Sequence, residues 1–415
     1  MSFWMKLHSL LVRCQILKDC AHFLGDSSKY VIVLSKLSLI VGNLWLKSFT
    51  KTRRIVFYIM ITLSIVHHIS ILLYCGSYVR DVDSLSEVLP TLSLGLQVMN
   101  KISIIAGKSN QLDDLVKLIL HDFWPSNVLG PKTDRRIAKA TRRILTPIVL
   151  QSTFGVCYSI CCVFLPIFKT QNLLLHQAWY PKGLDEHLIQ KALQIMKSYT
   201  MNYLDCLTVT SFDLLYVAMC VNCSAQFRLL CGAIETLGTG KDRAMIWRIT
   251  NKPTGGNEKE VARELLVICL EHHQKLIKVA DEMNAIFGRG HFVQFCATLI
   301  AICSSFYNIV VQRSYTTIAF SLGYYLAHFW QFFVYCSASN YLSDWSTCVS
   351  DSAYNSNWYS KDSNNIRKCL TIMMLRSQKR LSMNAFGLFE LNYVSFLMVM
   401  RFSFSLYTFL RTVAT

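Results

Sequence analysis

Seven long apolar stretches divide this chain, and the gaps between them alternate between rich and poor in Lys and Arg. The stretches run over about 55–75, 88–107, 144–168, 200–223, 291–312, 316–341 and 391–410. The segment before the first holds about 9 Lys and Arg, and the second, fourth and sixth gaps hold about 8, 10 and 6. The first, third and fifth gaps hold about 1, 4 and 1. A helix of about 20 apolar residues crosses the hydrocarbon core, and segments of this length are too long for barrel strands. Positive flanks resist translocation, so the rich gaps are expected on the cytoplasmic side. The fold class expected is an all-α membrane protein with seven transmembrane helices, N-terminus cytoplasmic and C-terminus extracellular. That is the reverse of a G-protein-coupled receptor.

Composition agrees with the bilayer and excludes other classes. With 53% hydrophobic and 16% charged residues, the chain is too apolar for an ordinary soluble enzyme. The net charge of +17 resembles that of a nucleic-acid binder, but topology alone explains basic residues spread over inner loops. No zinc-finger spacing, RNP-like sequence or basic zipper accompanies them, so no nucleic-acid partner is expected. Met1 to Leu11 lacks the apolar core and cleavage site of a signal peptide, and the first span is expected to act as the insertion signal. The 16 cysteines fall mostly inside spans or in the basic gaps, so they read as small buried side chains rather than a disulfide framework.

Six segments follow along the chain. Residues 1–54 form a cytoplasmic segment whose Tyr30–Phe49 stretch suits an amphipathic or re-entrant helix on or partly in the inner leaflet. Residues 55–223 carry transmembrane helices one to four. Between the third and fourth, Trp179–Tyr180–Pro181–Lys182–Gly183 marks a turn and 184–199 reads as helix. Residues 224–290 form a cytoplasmic loop and helix extension: Gly238 to Asn257 is Gly- and Lys-rich, and Glu258 to Gly288 is strongly helical. That helix is able to run on into the next span, with Gly288 and Gly290 as kink sites. Residues 291–341 hold helices five and six. Residues 342–388 hold an anchor helix, read over Asn364–Leu388, that would join the previous extension in a cytoplasmic bundle. Residues 389–415 hold the last helix. No internal repeat of the kind common in transporters is visible.

The motifs of soluble chemistry are missing or incomplete. Gly238–Thr239–Gly240–Lys241 lacks the upstream Gly and the following hydroxyl of a phosphate loop, having Glu235 and Asp242 instead. Cys220 and Cys223 have metal-like spacing but no second pair. His67–His68 and His272–His273 point about 100° apart on a helix, too divergent for one ion. No nucleophile elbow or zincin motif is present. No catalytic residue, cofactor or metal is expected.

Ionisable residues inside the spans are more informative, because an unpaired charge in lipid costs at least a few kcal/mol. Lys101 is near the inner end of the second span and is expected to snorkel. Asp205 and Asp213 of the fourth span must face protein or water, as must Arg401 of the last. Steps of four from Arg401 reach Ser405, Phe409 and Val413, with Thr408 and Thr412 beside them. In a monomer this stripe would pack on neighbouring helices. In an oligomer with the helix at its centre, the stripe would line a pore gated by its apolar members.

The final 75 residues resemble the insect odorant receptor family. The resemblance rests on Tyr335–Cys336 with Asn340, then Ser350–Asp351–Ser352–Ala353–Tyr354 leading to Trp358–Tyr359. Arg376–Ser377–Gln378–Lys379 follows, then Ser403–Phe404–Ser405 with Leu410. Two positions depart from the family's pattern: Arg380, where a Pro is frequent, and Leu406, where a Tyr is frequent and here arrives at Tyr407. The Thr-Tyr…Gln-Phe ending of the sister gustatory receptors is absent.

The resemblance implies an odorant-gated, non-selective cation channel subunit that joins the odorant co-receptor subunit in a heterotetramer. It implies residence in the cell membrane of olfactory sensory neuron dendrites. It also implies a pore lined by the last helix, with Ser405, Phe409, Thr412 and Val413 as pore or gate residues. A small volatile odorant would bind in the outer half, among Leu89, Leu92, Ser152, Gly155, Ser159, Tyr203, Leu207, Phe320 and Tyr324. Its partners would be the co-receptor, the odorant, the lipid bilayer and permeating cations. The alternatives are a metabotropic seven-helix chemoreceptor and a gustatory-receptor-type ligand-gated channel.

Overall fold

The computed structural model describes residues 27–45, 51–77, 82–168, 205–312, 315–359 and 364–414. Helices dominate them: α1 (Ser27–Val41), α2 (Lys51–Ser77), α3 (Val82–Gly107), α4 (Ser109–Lys117), α5 (Pro131–Phe168) and α6 (Cys206–Glu235). They continue as α7 (Asp242–Thr250), α8 (Glu258–Val311), α9 (Tyr315–Asn355), α10 (Asn364–Gln378) and α11 (Tyr393–Ala414). A small antiparallel hairpin, β1 (Asn384–Ala385) with β2 (Phe389–Glu390), precedes the last helix. Among the described residues, α2, α3, α6 and α8 contain windows long and apolar enough to cross a bilayer, and Tyr393–Phe409 is a shorter apolar helix. The expected helix over 184–199 lies outside the described residues.

The central helix is α6. Its residues from Ser211 to Ser224 are all buried, because α1, α3, α5, α8 and α9 all pack on it. A helix apolar all round belongs in such a position. Several helices overshoot their apolar stretch at the end that carries the basic loops. α8 begins at Glu258 and runs unbroken to Val311, so the cytoplasm-type helix and the span are one element. Asn257 starts it with a reciprocal cap: its side chain accepts from the Glu260 backbone N–H, and the Glu260 carboxylate accepts from the Asn257 N–H. The overshooting parts of α6, α8 and α9 pack with α10 into a bundle cored by Phe227, Leu265, Leu276, Val349 and Met373.

One glycine of α8 permits close approach. A Cβ at Gly290 would stand 2.9 Å from Ile104 Cδ1 of α3, whereas one at Gly288 would make ordinary contact with the hairpin. Beyond Gly290, α3 and α8 are clamped by a reciprocal pair. Ser86 Oγ donates to Asn308 Oδ1 at 2.5 Å, and Asn308 Nδ2 donates to the Ser86 carbonyl at 2.8 Å.

Three expectations change. The helix read over Tyr30–Phe49 is α1, ending at Val41, and it does not lie flat on a surface. Ile32, Val33, Ser35 and Leu39 are fully buried, and the helix is wedged along α6 and α5. Lys29 Nζ donates to the Leu120 carbonyl, Lys36 pairs with Asp113, and at the other end Gly42 meets Leu207. The anchor helix stops at Gln378 rather than Leu388. Ser346, Ser339 and Asn284 side chains accept from the Leu381, Met383 and Asn384 backbone N–H groups, which replaces the helical ladder. Phe386 and Gly387, at φ 55° and 74°, then turn the hairpin. Lys101 does not snorkel: it is 2% exposed and paired inside the bundle.

Candidate functional site

The interior of the apolar bundle holds a connected polar network. Asp213 of α6 accepts from Lys101 Nζ of α3 at 2.6 Å, from Gln331 Nε2 of α9 at 2.6 Å and from Tyr335 Oη of α9 at 2.5 Å. Three helices thus meet at one carboxylate, and α8 joins through Gln331, whose Oε1 accepts from Gln294 at 2.8 Å. Tyr335 also stacks on Tyr216, with ring centroids 4.7 Å apart. One helical turn from Lys101, Gln97 bonds to His328 Nδ1 at 3.2 Å. A charge pair with its remaining valences satisfied is the form in which burial in lipid is tolerable.

Away from the basic end lies a second polar node. Thr91 Oγ1 and Tyr324 Oη are 3.3 Å apart. Asp205 Oδ2 is 3.7 Å from His68 Nε2. Beside the Asp213 node, a small cleft of about 10 Å³ is lined by Ser152, Thr210, Asp213, Gln331 and Tyr335 among others.

The ligand-binding candidates distribute over this region. Ser152 is buried, lines the cleft and donates to the Thr210 carbonyl at 3.4 Å. Gly155 lets α5 touch α6: a Cβ there would stand 2.7 Å from Thr210 Cγ2, and Cys206 Sγ donates to the Gly155 carbonyl at 3.3 Å. Leu207 is buried against Gly42. Leu89 and Leu92 are half-buried on α3, with Leu92 packed on Ile71, Cys75 and Val88. Tyr324 joins Thr91. Phe320 is 51% exposed on α9 and is not gathered with the others. Tyr203 and the side chain of Ser159 lie outside the described residues.

Sequence reasoning missed Thr91, Gln97, Thr210, His328, Gln331 and Tyr335. A signal was present, because Gln97–Lys101 and Gln331–Tyr335 are uncharged polar groups one helical turn from a charge or from each other. Attention to ionisable residues alone passed over them.

The last helix is anchored on one side only. Phe396, Val399, Ser403 and Tyr407 are buried against α8 and α9, and Phe306 meets Tyr407 edge-on at 4.6 Å. The opposite face carries Arg401, Ser405, Thr408, Phe409 and Thr412, all exposed in the single chain. Thr408 and Thr412 hydroxyls donate to the carbonyls of Ser405 and Thr408. The side chain of Val413 is outside the described residues.

At the basic end, the glycine turn after α6 is tied to the start of α7 rather than shaped as a phosphate cradle: Asp242 Oδ1 accepts from the Gly238 N–H at 3.1 Å. Inside the bundle, His272 stacks on Trp124 with centroids 4.1 Å apart and bonds to Gln226 Oε1 at 3.0 Å. Burial, with Lys275 nearby, pushes its pKa down to about 3, and burial pushes that of His273 down to about 4. Among the described residues, no group of three or more His, Cys, Asp or Glu is placed to hold a metal ion.

A helical bundle apolar enough for a bilayer, with a charge pair at its centre and a last helix left open on its polar face, defines a class of integral membrane protein. Its fold is that of the solved insect olfactory receptors. The insect olfactory receptor OR5 from Machilis hrabei, in complex with eugenol, superimposes with a TM-score of 0.76 at 16% identity, over 92% of this chain and 97% of that one. A second structure of the same receptor gives a TM-score of 0.74. Residues 81–404 match the profile of the 7tm Odorant receptor family, and this chain belongs to that family. Odorant receptor 85c of Drosophila melanogaster is 21% identical over 82% of this chain and 86% of its own length. Odorant receptor 10 of Aedes albopictus is 20% identical over 62% and 65%. A shorter match, to Odorant receptor 30a of Drosophila melanogaster, is 25% identical over 38% of this chain and 41% of that one. The family is one of receptors, not of enzymes.

Proposed function

We propose that this chain is the odorant-tuning subunit of an odorant-gated, non-selective cation channel, assembled as a heterotetramer with the odorant co-receptor. Seven spans cross the cell membrane, with the N-terminus cytoplasmic and the C-terminus outside. The bundle of α6, α8, α9 and α10 lies in the cytoplasm and joins the subunits. A small volatile binds in the outer half, near Leu89, Leu92, Ser152, Gly155, Ser159, Tyr203, Leu207, Phe320 and Tyr324. It binds the open arrangement better than the closed one, and that difference in affinity shifts the equilibrium. Opening moves Phe409 and Val413 off the axis of a pore that Ser405 and Thr412 also line.

The observation that carries this reading is the open face of α11. A membrane helix that leaves Arg401, Ser405 and Thr408 exposed among the described residues requires water or another subunit there. Arg401 also supports a mixed assembly. Four copies of this chain around an axis would ring it with four guanidinium groups, which is an anion-selective arrangement. Copies of a second subunit dilute that charge. The olfactory neuron dendrite is the corresponding location.

The test is odour-evoked current in cells expressing this chain with the co-receptor. Current should appear with both subunits, and Phe409→Ala or Val413→Ala should raise the resting current or alter the response. Currents unchanged by both substitutions would remove the gate assignment. A response that instead needs a G protein would favour the metabotropic alternative.

A further inference from the structure

Asp205 is a buried carboxyl group without a structural task. It is 0% exposed, and among the described residues neither carboxyl oxygen has a hydrogen-bond partner. Its backbone is helical, immediately before Cys206, and its side chain makes no bond to a backbone N–H. The other buried acid of the same helix, Asp213, accepts three bonds. Burial of a polar group is tolerated where it is hydrogen-bonded, so a carboxyl that among the described residues has the His68 ring at 3.7 Å and no hydrogen bond points to a partner from elsewhere.

The groups around it state what that partner must be. His68 Nδ1 lies 2.6 Å from the Ser64 carbonyl. A carbonyl only accepts, so Nδ1 holds the proton, and in the neutral ring Nε2 offers a lone pair. That Nε2 also has no hydrogen-bond partner, and it faces Asp205 Oδ2 across 3.7 Å. With Asp205 as the carboxylate that a cationic ligand would hold, two acceptors face each other at a separation too long for a bond and short enough for one small donor to reach both. Gly95 makes the arrangement possible, because any side chain there would collide with the His68 ring. An alcohol brings one O–H and satisfies one acceptor. A primary amine brings two or three N–H groups and satisfies both. In its ammonium form it also supplies the opposite charge that a buried carboxylate needs.

We propose that Asp205 and His68 Nε2 form the head-group recognition point for a small volatile primary amine, whose hydrocarbon chain lies among the apolar residues of the same half of the bundle. The inference rests on the reading of that half as the odorant site and names its ligand class.

Three probes of one chain length test it: hexylamine, 1-hexanol and hexane. Two readouts are taken, odour-evoked current with the co-receptor and thermal stabilisation of the detergent-purified receptor. The expected result is that hexylamine is at least ten-fold more potent than 1-hexanol, with hexane weakest. Asp205→Asn should cut the amine-to-alcohol potency ratio at least ten-fold, and Asp205→Glu should preserve the preference. A wild-type receptor that prefers hexanol or hexane overturns the proposal without any variant having to fold. Retention of the amine preference in Asp205→Asn overturns it as well. Stabilisation by hexylamine with no current from any probe would instead count against the channel reading and leave the recognition point standing.

Discussion

Lys101 and Asp213 show how a single pair organises a membrane interior. Their side chains are 3% and 8% exposed and their charged atoms 2.6 Å apart. Each neutralises a charge that neither lipid nor a dry core would accept alone. Replacing both with apolar groups of similar size can be near neutral, whereas removing one leaves the other stranded at a cost of about 3–5 kcal/mol. Asp213→Leu is therefore expected to lower the thermal unfolding temperature of the purified receptor sharply and to reduce surface expression. Adding Lys101→Met should restore most of both, and a double variant no better than the single would remove the pair from its central role.

His272 and His273 make a different prediction at the same scale. Their folded pKa values, about 3 and about 4, are below the unfolded value of about 6.5. The unfolded chain therefore binds more protons below pH 6.5. The sign follows: stability is complete above about pH 6.5 and is lost as pH falls towards those folded values, by roughly 1.4 kcal/mol per histidine per pH unit. The unfolding temperature should drop between pH 7.5 and 5.5, and His272→Gln should flatten that dependence.

Among the elements, α11 is the one whose role depends on what lies outside the chain. Its inward face is packed by Phe396, Val399 and Tyr407, and its other face offers a guanidinium followed by hydroxyls and Phe409. If that face borders the conduction path, Arg401 repels cations there. Arg401→Gln should then raise the single-channel cation conductance of the assembled channel or its permeability to divalent cations. An unchanged conductance and selectivity would place Arg401 at a subunit contact instead. The helix itself was legible in the sequence as an apolar stretch with a stripe at four-residue steps. Which face would be left open was not, because that depends on which residues α8 and α9 cover. The opposite holds for α1. Its apolar positions read as a helix for a surface, but the burial of Ser35 along with Ile32, Val33 and Leu39 required α5 and α6 to receive it.

For the whole molecule, the decisive measurement is topology. The alternation of Lys and Arg predicts that an epitope tag at residue 1 is stained only after permeabilisation, and a tag after Thr415 without it. The reverse pattern would restore the metabotropic reading and end the channel proposal. The same experiment locates the bundle of α6, α8, α9 and α10, since it lies at the end with the basic loops.

The sequence by itself determined the helical membrane class, the side on which each loop is expected and the family resemblance. These depend on composition, spacing and charge, which are properties of short segments. The continuous 54-residue α8 was legible for the same reason. Tertiary structure alone decided the partners of the charges. Lys101 and Asp213 are 112 residues apart in the chain, and nothing local distinguishes Asp213, with three donors, from Asp205, with none. Pairing across helices is set by how α3, α6 and α9 pack. In an apolar medium that pairing separates a structural charge from one left open for a ligand.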